Sequence, residues 1–112
     1  MKWVTAIVRP GALDGVEQAL DGLGVSGMTV SEVRGHGRQK GRAQIYRGAR
    51  YAAEFLDKLR IEVLTDESAV DEVVGAIVSA SRSGDVGDGK VWVVALDSVV
   101  RVRTGQTGVE AL

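Results

Sequence analysis

Gly35-His36-Gly37-Arg38-Gln39-Lys40-Gly41-Arg42-Ala43-Gln44-Ile45-Tyr46-Arg47-Gly48-Ala49-Arg50-Tyr51 is the stretch that decides how the rest of the chain is arranged. It stands between two runs that alternate apolar and polar residues as strands do, Met28 to Val33 and Leu56 to Leu64. It is too long and too polar to be the turn that joins them. Connections in compact domains are mostly about 4–6 residues, and longer ones without structure are usually functional or disordered. From Arg34 to Arg60 there are eight Lys/Arg (Arg34, Arg38, Lys40, Arg42, Arg47, Arg50, Lys58, Arg60) against two acids, Glu54 and Asp57. A chain with a net charge of −1 therefore carries a concentrated positive arm.

Outward from the arm, the pattern gives two strands and two helices more. Trp3 to Val8 is apolar on both alternations, as in a central strand covered on both faces, and Pro10 stops it. Leu13, Val16, Leu20 and Leu23 recur at helical spacing, with Asp14, Glu17 and Asp21 off that stripe and Gly24 placed to end the helix. After the third strand, Asp66 is placed as an N-cap, and Val70, Val73, Val74 and Ile77 form the stripe of a second helix. Residues 82–90 form a glycine-rich break, and Val91 to Leu96 closes the series as a fourth strand. Strand, helix, strand, long loop, strand, helix, strand is the double split βαβ order of an α+β, ferredoxin-like fold, with a four-stranded antiparallel sheet and both helices on one face. Two helices cover only one side of such a sheet, so the other is expected to pack against further copies of the chain.

The totals bound the function. At 112 residues and 45% hydrophobic the chain is expected to be a single domain over 1–112. Near-neutrality argues against a general nucleic-acid or membrane binder. With no Cys and one histidine, His36, thiol chemistry is absent and a transition-metal site is disfavoured. The short apolar run at the N-terminus ends at Arg9-Pro10, before a signal core or membrane span is reached, so a cytoplasmic location is expected. No nucleophile, base and orienting group stand in a recognisable pattern, which leaves catalysis with little support.

Two segments can hold phosphate. In Gly84-Asp85-Val86-Gly87-Asp88-Gly89-Lys90, successive glycines let backbone N–H groups turn toward an anion, and Lys90 adds charge. It is no P-loop, because the spacing is wrong and a strand follows where a helix belongs. Taken alone it reads first as an ordinary turn with a lysine at its end. Arg101 and Arg103, two apart, lie on one side of an extended segment and there suit a polyphosphate; they equally suit a solvated edge that discourages sheet association. Tyr46 and Tyr51 in the arm contact a partner, are modified, or pack back onto the loop base.

Together these residues carry a resemblance over nearly the whole chain. Lys2-Trp3-Val4-Thr5-Ala6-Ile7-Val8-Arg9-Pro10, Gly27-Met28-Thr29-Val30, Gly37-Arg38-Gln39-Lys40-Gly41, Tyr46-Arg47-Gly48-Ala49-Arg50-Tyr51, Gly87-Asp88-Gly89-Lys90-Val91-Trp92 and Arg101-Val102-Arg103-Thr104-Gly105 resemble the PII nitrogen-regulatory signal-transduction proteins. The resemblance implies a homotrimer that binds ATP or ADP between subunits. Gly87, Gly89 and Lys90 would hold phosphates from one subunit and Arg101 and Arg103 would reach them from the next, with Thr29, Arg38 and Glu62 lining the pocket. It further implies that Gln39 helps ligate the Mg²⁺ bridging ATP to 2-oxoglutarate, whose carboxylates face Arg9, Lys58 and the backbone around Lys40 and Gly41. Residues 37–55 would be the regulatory loop and 100–112 the C-terminal loop. Tyr51 matches a tyrosine nucleotidylylated in part of the family, and Arg47 an arginine that in some members enters an ammonium channel. Partners implied are such a transporter, a nucleotidyltransferase regulating glutamine synthetase, or other nitrogen-metabolism enzymes, with no nucleic acid and a membrane only indirectly. Ala49 replaces the serine that certain members phosphorylate, which excludes that regulation, and His36 stands where an aromatic is usual. The alternatives are a nucleic-acid module using the basic arm and a ferredoxin-like trimeric enzyme with an intersubunit site.

Overall fold

The computed structural model describes residues 1–37, 45–46, 49–50 and 55–112. Seven residues of strand β1, Lys2–Val8, lead through a 3-10 turn, Pro10–Ala12, into helix α1, Leu13–Gly22. Strand β2, Thr29–Gly35, precedes the arm, in which Ile45–Tyr46 (β3) pairs with Ala49–Arg50 (β4). Strand β5, Leu56–Thr65, a 3-10 turn at Glu67–Ala69, helix α2, Val70–Ser81, and strand β6, Lys90–Ala95, complete the main layer. The large sheet runs β2-β5-β1-β6 with every pair antiparallel, which is the expected ferredoxin-like order. The β3–β4 pair departs from the expectation of a loop without strands between β2 and β5.

Register explains which side of the sheet is buried. Directly opposed residues share a face, and Val4, Ala6 and Val8 stand opposite Val63, Ile61 and Leu59. All six are buried, and Val16 and Leu20 of α1 with Val73 and Ile77 of α2 complete the core above them. Each buried Val, Leu or Ile side chain among them contributes roughly 1.5–3 kcal/mol of hydrophobic burial. Where α1 meets α2, Gly15 faces Ala80, and a Cβ added there would lie at ordinary contact distance, 3.7 Å from the Ala80 Cβ.

The other face carries no helix. Trp3, Thr5 and Ile7 of β1 point there, with Glu62 and Leu64 on β5 and Trp92 and Val94 on β6 in matching register. Trp92, Val94 and Leu64 are each over 40% exposed, so this side is open, with an apolar row of Leu64, Trp3 and Val94 beside Trp92.

Helix ends follow the residues placed at them, with two corrections. Gly24 has φ +79°, and the bonds Gly24 N–H to Asp21 O (2.9 Å) and Val25 N–H to Leu20 O (3.0 Å) close α1 as a Schellman motif. Leu23, expected in the buried stripe, is 42% exposed, because it is the C-cap residue where the helical periodicity has already lapsed. Asp66, expected as the N-cap of the second helix, instead precedes the 3-10 turn Glu67–Ala69, with Ala69 at the N-cap of α2; its side chain makes no capping bond to the backbone and accepts from Ser68 Oγ at 3.1 Å. Among the described residues no helix is long and apolar enough to cross a membrane.

Ile61 sits fully buried at the centre of the sheet. Ile61→Ala is expected to cost about 2–5 kcal/mol of folding stability, read as a lowered urea midpoint at fixed protein concentration.

Candidate functional site

The same register that builds the core gathers charged groups at one end of the sheet. Pairing Val8 with Leu59, Ile7 with Lys90 and Gly35 with Leu56 brings together the end of β1, the starts of β5 and β6, and both feet of the arm. Arg9 follows β1 there, Lys58 is the third residue of β5, and residues 82–89 arrive from α2.

The glycine-rich turn is closed by one carboxylate. Asp88 Oδ2 accepts from the backbone N–H of Ser83 (2.8 Å) and of Gly84 (2.9 Å), Asp88 Oδ1 accepts from the Ser83 hydroxyl, and that hydroxyl accepts from the Asp85 N–H at 3.2 Å. These bonds hold the Asp88 carboxyl at a pKa of about 2, the Ser83 hydroxyl and N–H contributing most. Arg9 adds an ion pair, its Nε 3.3 Å from Asp88 Oδ1 but out of hydrogen-bond alignment.

Two cations then set the peptide planes of the turn. Arg9 Nη2 donates to Val86 O at 2.6 Å and Lys58 Nζ to Gly87 O at 2.7 Å. Lys58 is 93% removed from solvent; burial first, then the Arg9 guanidinium, lowers the pKa of its ammonium, with Asp88 opposing. A trans peptide directs its C=O and its N–H to opposite sides, and cis bonds are absent among the described residues. The N–H groups of Gly87 and Asp88 therefore face away from these two cations. Among the described residues, the N–H groups of Val86, Gly87 and Gly89 have no hydrogen-bond partner, while residues 86–87 form a turn that the Asp88 N–H closes. Gly87 and Gly89 both have φ +102°, a conformation that opens such donors as an anion-binding concavity.

Gly89 is there for space as well as conformation. An added Cβ would lie 1.7 Å from the Ile7 carbonyl oxygen, inside bonding contact with the backbone of β1. The turn is thus pressed against the central strand.

Of the expected site residues, the structure brings Arg9, Lys58, Gly87, Gly89 and Lys90 to this end of the sheet. Thr29 and Glu62 stand directly opposite each other on β2 and β5, on the uncovered face. Arg101 and Arg103 come after the other end of β6, where Ala95 pairs with Lys2. They are not on an extended segment: Arg101 N–H to Gln106 O and Gly105 N–H to Arg101 O, both 2.8 Å, fold 101–106 into a turn, because the glycine at 105 (φ +72°) permits it. Arg101 Nη2 donates to Leu112 O at 2.6 Å, while Arg103 is exposed. Arg38, Gln39, Lys40, Gly41, Arg47 and Tyr51 lie outside the described residues. What sequence reasoning missed is Asp88, quoted within its motif but given no task. An Asp five residues after a Ser in a glycine-rich break was the available signal, since Asp side chains close turns on nearby backbone N–H groups.

Fold and site together define a small ferredoxin-like protein in which a glycine-rich turn lies at the same end of the sheet as the feet of a long basic arm. The family model described as nitrogen regulatory protein P-II matches residues 1–106. Proteins named nitrogen regulatory protein P-II from Synechocystis sp., Nostoc punctiforme and Rhizobium etli are 56%, 51% and 50% identical over 112 residues, covering all of both chains in each case. The chain belongs to the nitrogen regulatory protein P-II family.

Gly89→Ala is expected to lower the thermal midpoint, with a loss of at least about 1–3 kcal/mol, because strained backbone and the Ile7 contact act together. The depressed Asp88 carboxyl makes a second prediction. Its contribution to stability is complete above the unfolded value of 3.8 and is lost as pH falls toward 2, so wild type should lose stability over that window more steeply than Asp88→Asn. Acid titration of the two proteins by circular dichroism reads the difference.

Proposed function

We propose that this chain is a nitrogen-, carbon- and energy-status regulator that binds ATP or ADP and, with Mg-ATP, 2-oxoglutarate, and controls target proteins through residues 37–55. The observation that carries the reading is the glycine-rich turn, whose unpartnered N–H groups and positive-φ glycines fit phosphate oxygens. Lys90, next in the chain, supplies a point charge at its exit.

The other ligand chemistry fits the cations across the turn. Lys58 rests on a neutral carbonyl oxygen and Arg9 on another beside its ion pair with Asp88, and a dicarboxylate offers Lys58 a charged acceptor, roughly twice as strong a partner. Gln39 would contribute an amide oxygen to Mg²⁺, a ligand type that hard cation accepts. The cation would neutralise phosphate charge beside the second ligand. Because both feet of the arm, Gly35 and Leu56, adjoin this turn, ligands seated there act on the arm's base without a long relay. Couplings of that kind are typically about 1–3 kcal/mol, a five- to hundredfold change in partner affinity.

The assembly proposed is a homotrimer. It is supported by the open apolar face of Trp3, Ile7, Leu64, Trp92 and Val94, and by Arg101 and Arg103 following the end of the sheet opposite the turn, which suits them to a neighbour's phosphates. Nitrogen-metabolism enzymes or an ammonium transporter are the proposed targets, Arg47 and Tyr51 the proposed contact and modification positions, and the cytoplasm the proposed location. No covalent chemistry by the chain itself is needed.

Calorimetric titration tests the reading. ATP and ADP are expected to bind wild type, 2-oxoglutarate to bind only with Mg-ATP present, and Lys90→Ala or Arg103→Ala to weaken nucleotide binding at least tenfold, the loss of one charged contact. Binding of 2-oxoglutarate without nucleotide would overturn the bridged arrangement.

A further inference from the structure

An aspartate inside a segment that accepts anions is a contradiction unless its charge is used elsewhere. Asp88 sits between the two positive-φ glycines, yet both of its oxygens turn back toward the head of the turn. There they take the Ser83 and Gly84 N–H groups, the Ser83 hydroxyl and the flank of Arg9. Arg9 in turn fixes the Val86 carbonyl, so carboxylate and guanidinium grip the turn at both of its limbs and tie it to the end of β1. The Gly87 N–H, on the far side of the peptide whose Val86 carbonyl Arg9 holds, owes its outward direction to that grip.

We propose that the Asp88 carboxylate is a positioning group for anion binding: with Ser83 and Arg9 it sets the turn in the shape that presents its N–H groups, without itself touching the ligand. This rests on the reading of the turn as a phosphate site. Its sign distinguishes it from plain electrostatics. Removing a negative charge beside a polyphosphate should tighten binding if charge alone matters; removing the tie should weaken it.

The test measures ATP and inorganic tripolyphosphate binding by calorimetry to wild type, Asp88→Asn, Asp88→Ala, Ser83→Ala and the Asp88→Asn/Ser83→Ala double variant, with backbone amide spectra of each. Asp88→Asn is expected to bind both ligands roughly tenfold more weakly and Asp88→Ala more weakly still, since Asn retains one acceptor. The double variant should bind no more weakly than Asp88→Asn alone, because the two residues form one tie, and fully additive losses overturn that shared role. The Ser83 and Gly84 amide resonances should shift in Asp88→Asn while those of the helices stay in place, which a general loss of fold would not produce. Ser83→Ala, a smaller change, keeps the test open should Asp88→Ala fail to fold. Equal or tighter binding by a folded Asp88→Asn overturns the positioning role. Failure of wild type to bind either ligand overturns the phosphate-site reading itself, a separate outcome.

Discussion

Everything in this molecule depends on the register of β1, the central strand. Its alternate residues Val4, Ala6 and Val8 meet Val63, Ile61 and Leu59 beneath the two helices, and a one-residue slip would turn that set out of the core. The same pairing fixes what lies beyond the strand's end. Because Val8 is opposite Leu59 and Ile7 opposite Lys90, the next residue, Arg9, arrives beside the start of β5 and the turn that precedes β6. Core and site are thus two results of one alignment, and the close approach of Gly89 to the Ile7 carbonyl is where they touch.

The electrostatics of that end are arranged so that few charges are idle. The Asp88 carboxylate is consumed by the head of its own turn, and Arg9 divides its donors between that carboxylate and a carbonyl. Lys58, largely withdrawn from water, holds another carbonyl. Burying an ammonium on a neutral partner is costly compared with an anionic one, which is why its pKa falls. Such a lysine favours any anion brought within its reach. The turn accordingly separates a cationic side from a side of open backbone donors, two distinct chemistries across one thickness of chain.

Much of the fold was legible because its signals are periodic. The stripe Val16 and Leu20, the opposed alternations of β1, and Gly24 as a helix terminator each rest on repeats a few residues long. The exposure of Leu23 marks where that logic stops, since periodicity extends a stripe past the point at which the backbone leaves the helix. Of the site, the glycines and Lys90 were legible from composition, but the ties were not: Lys58 and Gly87 are 29 residues apart, Arg9 and Val86 77 apart. Arg101 and Arg103 were misread as an extended pair because Gly105 reverses the chain just after them. The short β3–β4 pair escaped because two-residue strands are below the length at which alternation can be recognised.

The open face of the sheet has an optical consequence. Both indoles of the chain, Trp3 and Trp92, are on that side, on neighbouring strands, with Thr5 opposite Trp92 and Val94 opposite Trp3. Indole emission responds to the polarity around the ring, so whatever covers this surface dries both chromophores at once. The protein thereby carries its own fluorophores where subunit association would be felt first, and none among the helices that pack the interior.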